Sequence, residues 1–74
     1  MTVTFTIAGG LKAYLGGRDH IEVPAGGTVA ELLEASGVQP ALVAAVMLGE
    51  TLVPLTYRPR EGDVLKLIGI LGGG

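Results

Sequence analysis

The chain has 74 residues, of which 49% are hydrophobic and 16% charged, with a net charge of −2 and no cysteine. This length predicts one small domain, and the lack of cysteine excludes disulfides, thiolate metal sites and cysteine nucleophiles. Its five basic residues are scattered, so no nucleic-acid partner is expected. The longest apolar run, residues 41–48, is too short to span a bilayer, and the composition fits the reducing cytoplasm.

The N-terminal third predicts two strands joined by a short helical turn. Residues 2–7 alternate threonine with apolar side chains, as in a strand with one buried face. The glycine pair 9–10 ends this strand, residues 11–15 place two leucines one helical turn apart, and residues 20–23 alternate again. Two strands this close along the chain most simply pair antiparallel. The residues predicted to face the core are Val3, Phe5, Ile7, Ile21 and Val23.

A capping box predicts the start of the main helix. The Thr28 hydroxyl accepts a hydrogen bond from the amide of Glu31, while the Glu31 carboxylate accepts one from the Thr28 amide. The helix therefore begins at Val29, and Gly37 ends it after about two turns by supplying left-handed backbone. Glu31 and Glu34 face water. The residues predicted to face the core are Val29, Leu32 and Leu33.

The second half of the chain predicts three more strands. Residues 43–48 are apolar at every position, which is typical of a strand covered on both faces, and residues 51–53 form a short strand after a tight turn. In the last strand, which begins near residue 64, Lys66 should point to solvent. Alternation then sends Leu65 and Leu67 to the core, whereas Ile68 and Ile70 share the exposed face with Lys66. Two isoleucines on a solvent face, together with one face of residues 43–48, indicate a docking surface.

No set of side chains indicates catalysis or metal binding. His20 is the single histidine and Ser36 the single serine, and neither has a partner that would make a metal site or an activated nucleophile. The internal glycine pairs lack the spacing of phosphate-binding loops and are interpreted as turns.

The glycine-rich end is the stretch in which we expect the chemistry to lie. We divide the chain into a domain, residues 1–68, and a tail, residues 69–74, that ends in three glycines and is expected to be flexible. Glycines contribute nothing to a core, but they are thin, and six extended residues reach roughly 20 Å. The tail could therefore carry its carboxylate into a narrow cleft of another protein.

Three segments in this order resemble the sulfur-carrier group of ubiquitin-like proteins, MoaD and ThiS. They are residues 28–33 at the helix start, residues 49–54 at the turn, and residues 61–64 leading to the final Gly73-Gly74. The resemblance covers essentially the whole chain. It implies an α+β, β-grasp fold for the domain of residues 1–68, in which a mixed sheet has parallel first and last strands at its centre and is crossed by one main helix. Leu48 stands where the family usually has asparagine, immediately before the glycine of the turn. The segment between Gly10 and Gly17 resembles MoaD more closely, whereas the triple glycine resembles some ThiS chains.

The resemblance implies a carrier that is not itself an enzyme and binds no cofactor. A ubiquitin-activating-like enzyme would use ATP to adenylate the carboxylate of Gly74, with Gly73 beside it, and a sulfurtransferase would supply sulfur for a thiocarboxylate. The acceptor would be a synthase, either the large subunit of molybdopterin synthase or thiazole synthase. The residues expected to bind partners are Ile68, Ile70, Leu71 and Gly72. Two alternatives stay open: a covalent ubiquitin-like modifier joined to a target lysine, and a non-covalent β-grasp interaction module.

Overall fold

The computed structural model describes residues 2–7 and 9–70. Within this part of the chain the elements are β1 (Thr2–Ile7), α1 (Gly9–Tyr14), β2 (His20–Pro24), α2 (Val29–Ala35), a 3-10 turn (Pro40–Leu42), β3 (Val43–Leu48), β4 (Thr51–Val53) and β5 (Val64–Gly69). The predicted strands are all present. The first helix begins at Gly9, two residues before the predicted helical turn, and β5 continues to Gly69, one residue past the predicted end of the domain.

The strands form one mixed sheet in the order β2-β1-β5-β3-β4. The central pair, β1 and β5, is parallel, with Phe5 opposite Leu65, and the other neighbours are antiparallel. The predicted antiparallel pairing of β1 with β2 and the parallel pairing of the first and last strands are therefore confirmed. This is the predicted α+β arrangement, and the short helix α1 is present in addition to the main helix α2.

The core lies between the sheet and α2, and it contains nearly all of the predicted residues. Ile21 is the exception, because it is only half-buried on the edge strand β2. Leu11, Val38 and Val46 are buried in addition. The buried core consists of Val3, Phe5, Ile7, Leu11, Val23, Val29, Leu32, Leu33, Val38, Val46, Leu65 and Leu67.

In the described part of the chain, the strand β3 is covered on one face only, although its uniformly apolar sequence is typical of a strand covered on both; the other face is free for the predicted docking surface. Val46 is buried, but Ala44 is exposed and Ala45 and Met47 are partly exposed. The reason is that the core lies on one face of the sheet, and none of the residues that the structure describes covers β3 on the other. The uniformly apolar sequence of β3 therefore reflects one buried face and one exposed apolar face.

The predicted capping box of α2 is confirmed. The Thr28 amide donates to Glu31 Oε1 at 2.8 Å, and the Glu31 amide donates to Thr28 Oγ1 at 3.2 Å. The hydrogen bond from the Thr28 amide lowers the pKa of Glu31 below its ordinary value. At the other end Ser36 is the C-cap and Gly37 has φ +84°, a left-handed conformation that side chains disfavour.

The long connection between β4 and β5 accepts hydrogen bonds from the first turn of α2. The Val29 amide donates to the Tyr57 carbonyl at 2.8 Å, and the Ala30 amide donates to the Leu55 carbonyl at 3.1 Å. Together with the capping box, these bonds satisfy the amides of residues 28–31, which an isolated helix leaves without partners.

Asp63 fixes the end of the same connection immediately before β5. Its Oδ2 accepts from the Arg60 amide at 2.9 Å and from the Tyr57 hydroxyl at 2.8 Å. The hydrogen bond from the Arg60 amide, followed by that from the Tyr57 hydroxyl, lowers the pKa of Asp63, and the same Tyr57 bond raises the pKa of the phenol. The Asp63 carbonyl then accepts from the Thr4 amide at 3.0 Å, so the connection enters the sheet directly beside β1.

Candidate functional site

Alternate residues of β5 have opposite environments. Leu65 and Leu67 are fully buried, whereas Val64 and Ile68 are 51% and 41% exposed, with the exposed Lys66 between them. Successive side chains of a strand point to opposite faces, so Val64, Lys66 and Ile68 lie together on the face opposite the core. The predicted exposure of Lys66 and Ile68 and the predicted burial of the two leucines are confirmed.

The strand register brings further apolar residues to this face. Met47 of β3 pairs with Lys66 on one side and with Leu52 of β4 on the other, and Ala45 pairs with Ile68. Residues paired across neighbouring strands point to the same face. We call the set formed by Ala45, Met47, Leu52, Val64, Lys66 and Ile68 the outer-face patch.

The outer face has an apolar half and a polar half. Leu52, which is 64% exposed, marks the apolar half on β4, β3 and β5. The same register continues from Lys66 to Thr6 and His20, and from Val64 to Thr4 and Glu22, so that the β1–β2 half is polar. Single exposed apolar residues are ordinary, but a contiguous group bordered by polar residues is typical of a docking surface.

Lys66 determines the charge of the patch. It is the one charged residue in the sequences of β3, β4 and β5, and it lies between Met47 of β3 and Thr6 of β1, at the border of the apolar half. A partner that covers the patch must remove this ammonium group from water, which is unfavourable unless an opposite charge or a hydrogen-bond acceptor meets it. The patch therefore suits an apolar partner surface that carries an acidic group.

A shallow apolar cleft borders the patch. Its volume is about 210 Å³, and residues 43–46 and 52–55 line it where the short strand β4 ends. It is smaller than the pockets that usually hold small molecules, and its lining side chains offer no charge or hydrogen-bonding group to orient one. The cleft is consistent with an apolar protein contact and gives no sign of a cofactor site.

Several polar groups outside the patch already have local partners. The amides at the start of α2 are not available to bind a phosphate, because carbonyls of the connection after β4 accept hydrogen bonds from two of them. The exposed His20 ring contacts Asp19 Oδ1 through Nδ1 at 2.9 Å, and this bond lowers the pKa of Asp19. The Ser36 hydroxyl donates to the Leu32 carbonyl at 2.7 Å.

Metal-binding clusters and membrane-spanning helices are both absent from residues 2–7 and 9–70. Within these ranges, no three histidine, cysteine, aspartate or glutamate side chains are grouped to hold a metal ion. Nor does this part of the chain contain a helix long and apolar enough to cross a membrane.

The predicted partner-binding residues can be located in part. Ile68 lies in the outer-face patch, and Ile70, which is 57% exposed, follows two residues later. The Ile70 amide donates to the Leu42 carbonyl at 2.9 Å. The other predicted site residues, Leu71, Gly72, Gly73 and Gly74, lie outside the described residues.

The predicted docking surface included one face of residues 43–48 without naming Met47, and it did not include Leu52 or Val64. Val64 could have been assigned from the alternation that placed Lys66 and Ile68 on one face. Met47 and Leu52 join the patch only through the register of β3 with its two neighbours, and no short sequence pattern specifies that register.

A comparison with solved structures supports the fold. The crystal structure of SAMP1 from Haloferax volcanii matches this chain with a TM-score of 0.74 and 23% sequence identity over 100% of both chains. Together with the sheet order, this match confirms the ubiquitin-like β-grasp fold. No significant match was found among curated proteins.

The family match over residues 5–74, together with the fold, supports the class of sulfur carriers and ubiquitin-like modifiers. Proteins of this class are generally not catalysts, and they work with activating enzymes and other partners. A family model described as the ThiS family matches residues 5–74, and the chain therefore belongs to the ThiS family.

Proposed function

We propose that this protein is a sulfur carrier whose Gly74 carboxylate is adenylated and then converted to a thiocarboxylate. The observation that carries the proposal is the family match, which continues from β1 through the final glycines to residue 74.

The proposed reaction has two steps. The Gly74 carboxylate attacks the α-phosphate of ATP in a partner adenylating enzyme, forming an acyl adenylate and releasing pyrophosphate. A sulfur nucleophile such as hydrosulfide then attacks the acyl carbon; the carbon–sulfur bond forms, the bond to the AMP oxygen breaks, and AMP leaves with the electron pair. A sulfurtransferase would deliver this sulfur in the cell. The thiocarboxylate is then the sulfur donor for an acceptor synthase in molybdopterin or thiamine thiazole formation.

We further propose that the outer-face patch docks on the adenylating enzyme. Six residues, 69–74, follow the exposed Ile68. The proposed docking residue and the reacting Gly74 are therefore close along the chain but distinct. Because Ile68 points away from the core, a charged substitution there should weaken docking without unfolding the domain.

The test combines intact mass measurement with binding. The purified chain, its adenylating enzyme, ATP and hydrosulfide are expected to give the mass change of oxygen replaced by sulfur. A variant lacking Gly73-Gly74 should show no change, with a free energy of unfolding within about 0.5 kcal/mol of the original. Ile68→Asp should bind the enzyme at least about tenfold more weakly, which corresponds to roughly 1.4 kcal/mol. Ala35→Asp, which adds the same charge at an exposed position of α2, should bind normally.

Three outcomes would contradict the proposal in different ways. Recovery of the chain joined by an amide to a target lysine, without thiocarboxylate, would favour the covalent modifier. If a chain without Gly73-Gly74 supported cofactor synthesis in depleted cells, the non-covalent module would be correct. Normal binding by Ile68→Asp would show that the patch is not the docking surface.

A further inference from the structure

Gly69, the last residue of β5, lies against Leu11 of α1. A Cβ atom placed on Gly69 would be 2.7 Å from Leu11 Cβ and 3.5 Å from both Leu11 Cγ and Leu11 Cδ2. The nearest of these atoms is bonded directly to the helix backbone, so a change of rotamer cannot move it away. Leu11 is also fully buried. Any side chain at residue 69 would therefore push α1 away from β5 or displace the end of the strand.

The alternation of β5 explains why the glycine occupies this position. Leu65 and Leu67 point to the core, so residue 69 is the next inward position of the strand. Here the core space is filled by Leu11, which comes from α1, and residue 69 contributes only backbone. The close approach of helix and strand thus depends on the missing side chain of Gly69.

The residues on either side of this contact are held by the sheet. Gly69 pairs with Val43, and the next residue, Ile70, donates its amide to the Leu42 carbonyl at 2.9 Å. Ala44 is the extra residue in the irregular register between β3 and β5. The start of the C-terminal segment is therefore fixed from two sides, by α1 above Gly69 and by the 3-10 turn beside Ile70.

We propose that Gly69 is a positioning residue that sets the point and direction at which the C-terminal residues leave the sheet. This inference rests on the proposed function. Four residues follow Ile70, and fully extended they reach only about 13–14 Å. So short a segment absorbs little displacement at its start, and a misplacement of about 1 Å can reduce a rate by about 100-fold when a reacting group must enter an active site.

Gly69→Ala should consequently reduce turnover and leave docking unchanged. In ATP–pyrophosphate exchange with the adenylating enzyme of the same organism, we expect a KM for the carrier within about twofold of the original and a kcat at least about tenfold lower. Amide hydrogen exchange of Ile70 should also become faster, because displacement of β5 weakens its bond to Leu42.

Val29→Ala is the matched control for a loss of stability. Val29 is fully buried but lies at the start of α2, where its amide bonds to Tyr57, and it takes no part in the Leu11 contact. At a temperature at which both variants are folded, Val29→Ala should retain kcat, KM and the protection of the Ile70 amide. A purely structural role of Gly69 would make the two variants alike.

The outcomes separate this inference from the proposed function. If the original chain supports exchange and Gly69→Ala has an unchanged kcat, or changes KM alone, Gly69 does not position the tail and the sulfur-carrier proposal still stands. An equal fall of kcat in Val29→Ala would likewise overturn the inference. If the original chain supports no exchange, the proposed function fails, and the role of Gly69 fails with it.

Discussion

Leu65→Ala tests the packing of the sheet most directly. Leu65 is fully buried in the central strand β5, where it pairs with Phe5 on one side and Leu48 on the other. Truncating a buried leucine to alanine usually costs about 2–5 kcal/mol, and the cost increases with the cavity that remains. Both neighbouring strands hold Leu65 in register and limit collapse of the site, so we expect about 3–5 kcal/mol.

That loss is large for this chain. At about 0.05–0.15 kcal/mol per residue, a 74-residue domain has a total stability of roughly 4–11 kcal/mol. A change of 1 kcal/mol moves the thermal midpoint of a domain this size by about 4–8 °C. Leu65→Ala should therefore lower the midpoint by at least about 12 °C.

The neighbouring Val64 provides the control for this experiment. Val64 is 51% exposed on the outer face, so Val64→Ala should cost less than about 1 kcal/mol. Urea unfolding followed by circular dichroism, with the slope checked for constancy, gives both free energies. If Leu65→Ala costs less than 1 kcal/mol, or if the two variants lose equal stability, the assignment of alternate β5 residues to opposite faces is wrong.

Two further predictions concern the N-cap of α2 and the connection between β4 and β5 that bonds to the start of this helix. Thr28→Ala should cost about 1 kcal/mol in urea unfolding because the Glu31 amide loses its acceptor, and Thr28→Ser should cost less than half as much; equal losses would contradict the capping-box argument. Asp63 has a lowered pKa in the folded state, so its stabilising effect is complete above the ordinary aspartate pKa of about 4 and is lost as the pH falls through the lower folded value. The thermal midpoint should decline below about pH 4, and it should decline less steeply in Asp63→Asn; parallel curves for the two proteins would exclude this role of Asp63.

The elements that the sequence predicted well have local signals. The alternation of Val3, Phe5 and Ile7 contains the whole information needed to identify a strand and its buried face. In the same way, Thr28 and Glu31 specify the start of α2 within four residues, because both partners of the capping box are in the same turn. Neither prediction needed knowledge of a distant part of the chain.

The positions that escaped prediction depend on distant residues. Leu11 lies in a short, glycine-flanked segment, and it is buried because Gly69, far along the chain, leaves space for it. Val46 is the buried member of a run in which every residue is apolar, so no periodicity distinguishes it from Met47. Tertiary pairing, not local preference, decides these positions.

The residues of the candidate site were likewise predictable only where the signal is local. The exposure of Ile68 followed from alternation around Lys66, whereas the contributions of Met47 and Leu52 required the pairing of three strands. The outer-face patch therefore depends on the pairing of three strands, although half of its residues belong to β5.

The strand β5 combines three tasks that the proposals above assign to different residues. Its inward leucines stabilise the domain, its outward residues Lys66 and Ile68 belong to the proposed docking face, and Gly69 determines how the chain continues beyond the sheet. Because β5 is central and paired on both sides, the outward residues and the start of the tail are held on the most constrained strand of the fold. Under the proposed function, partner enzymes must find both a docking face and a chain end at a defined separation. In that proposal, the role of the fold is to fix the geometry between them.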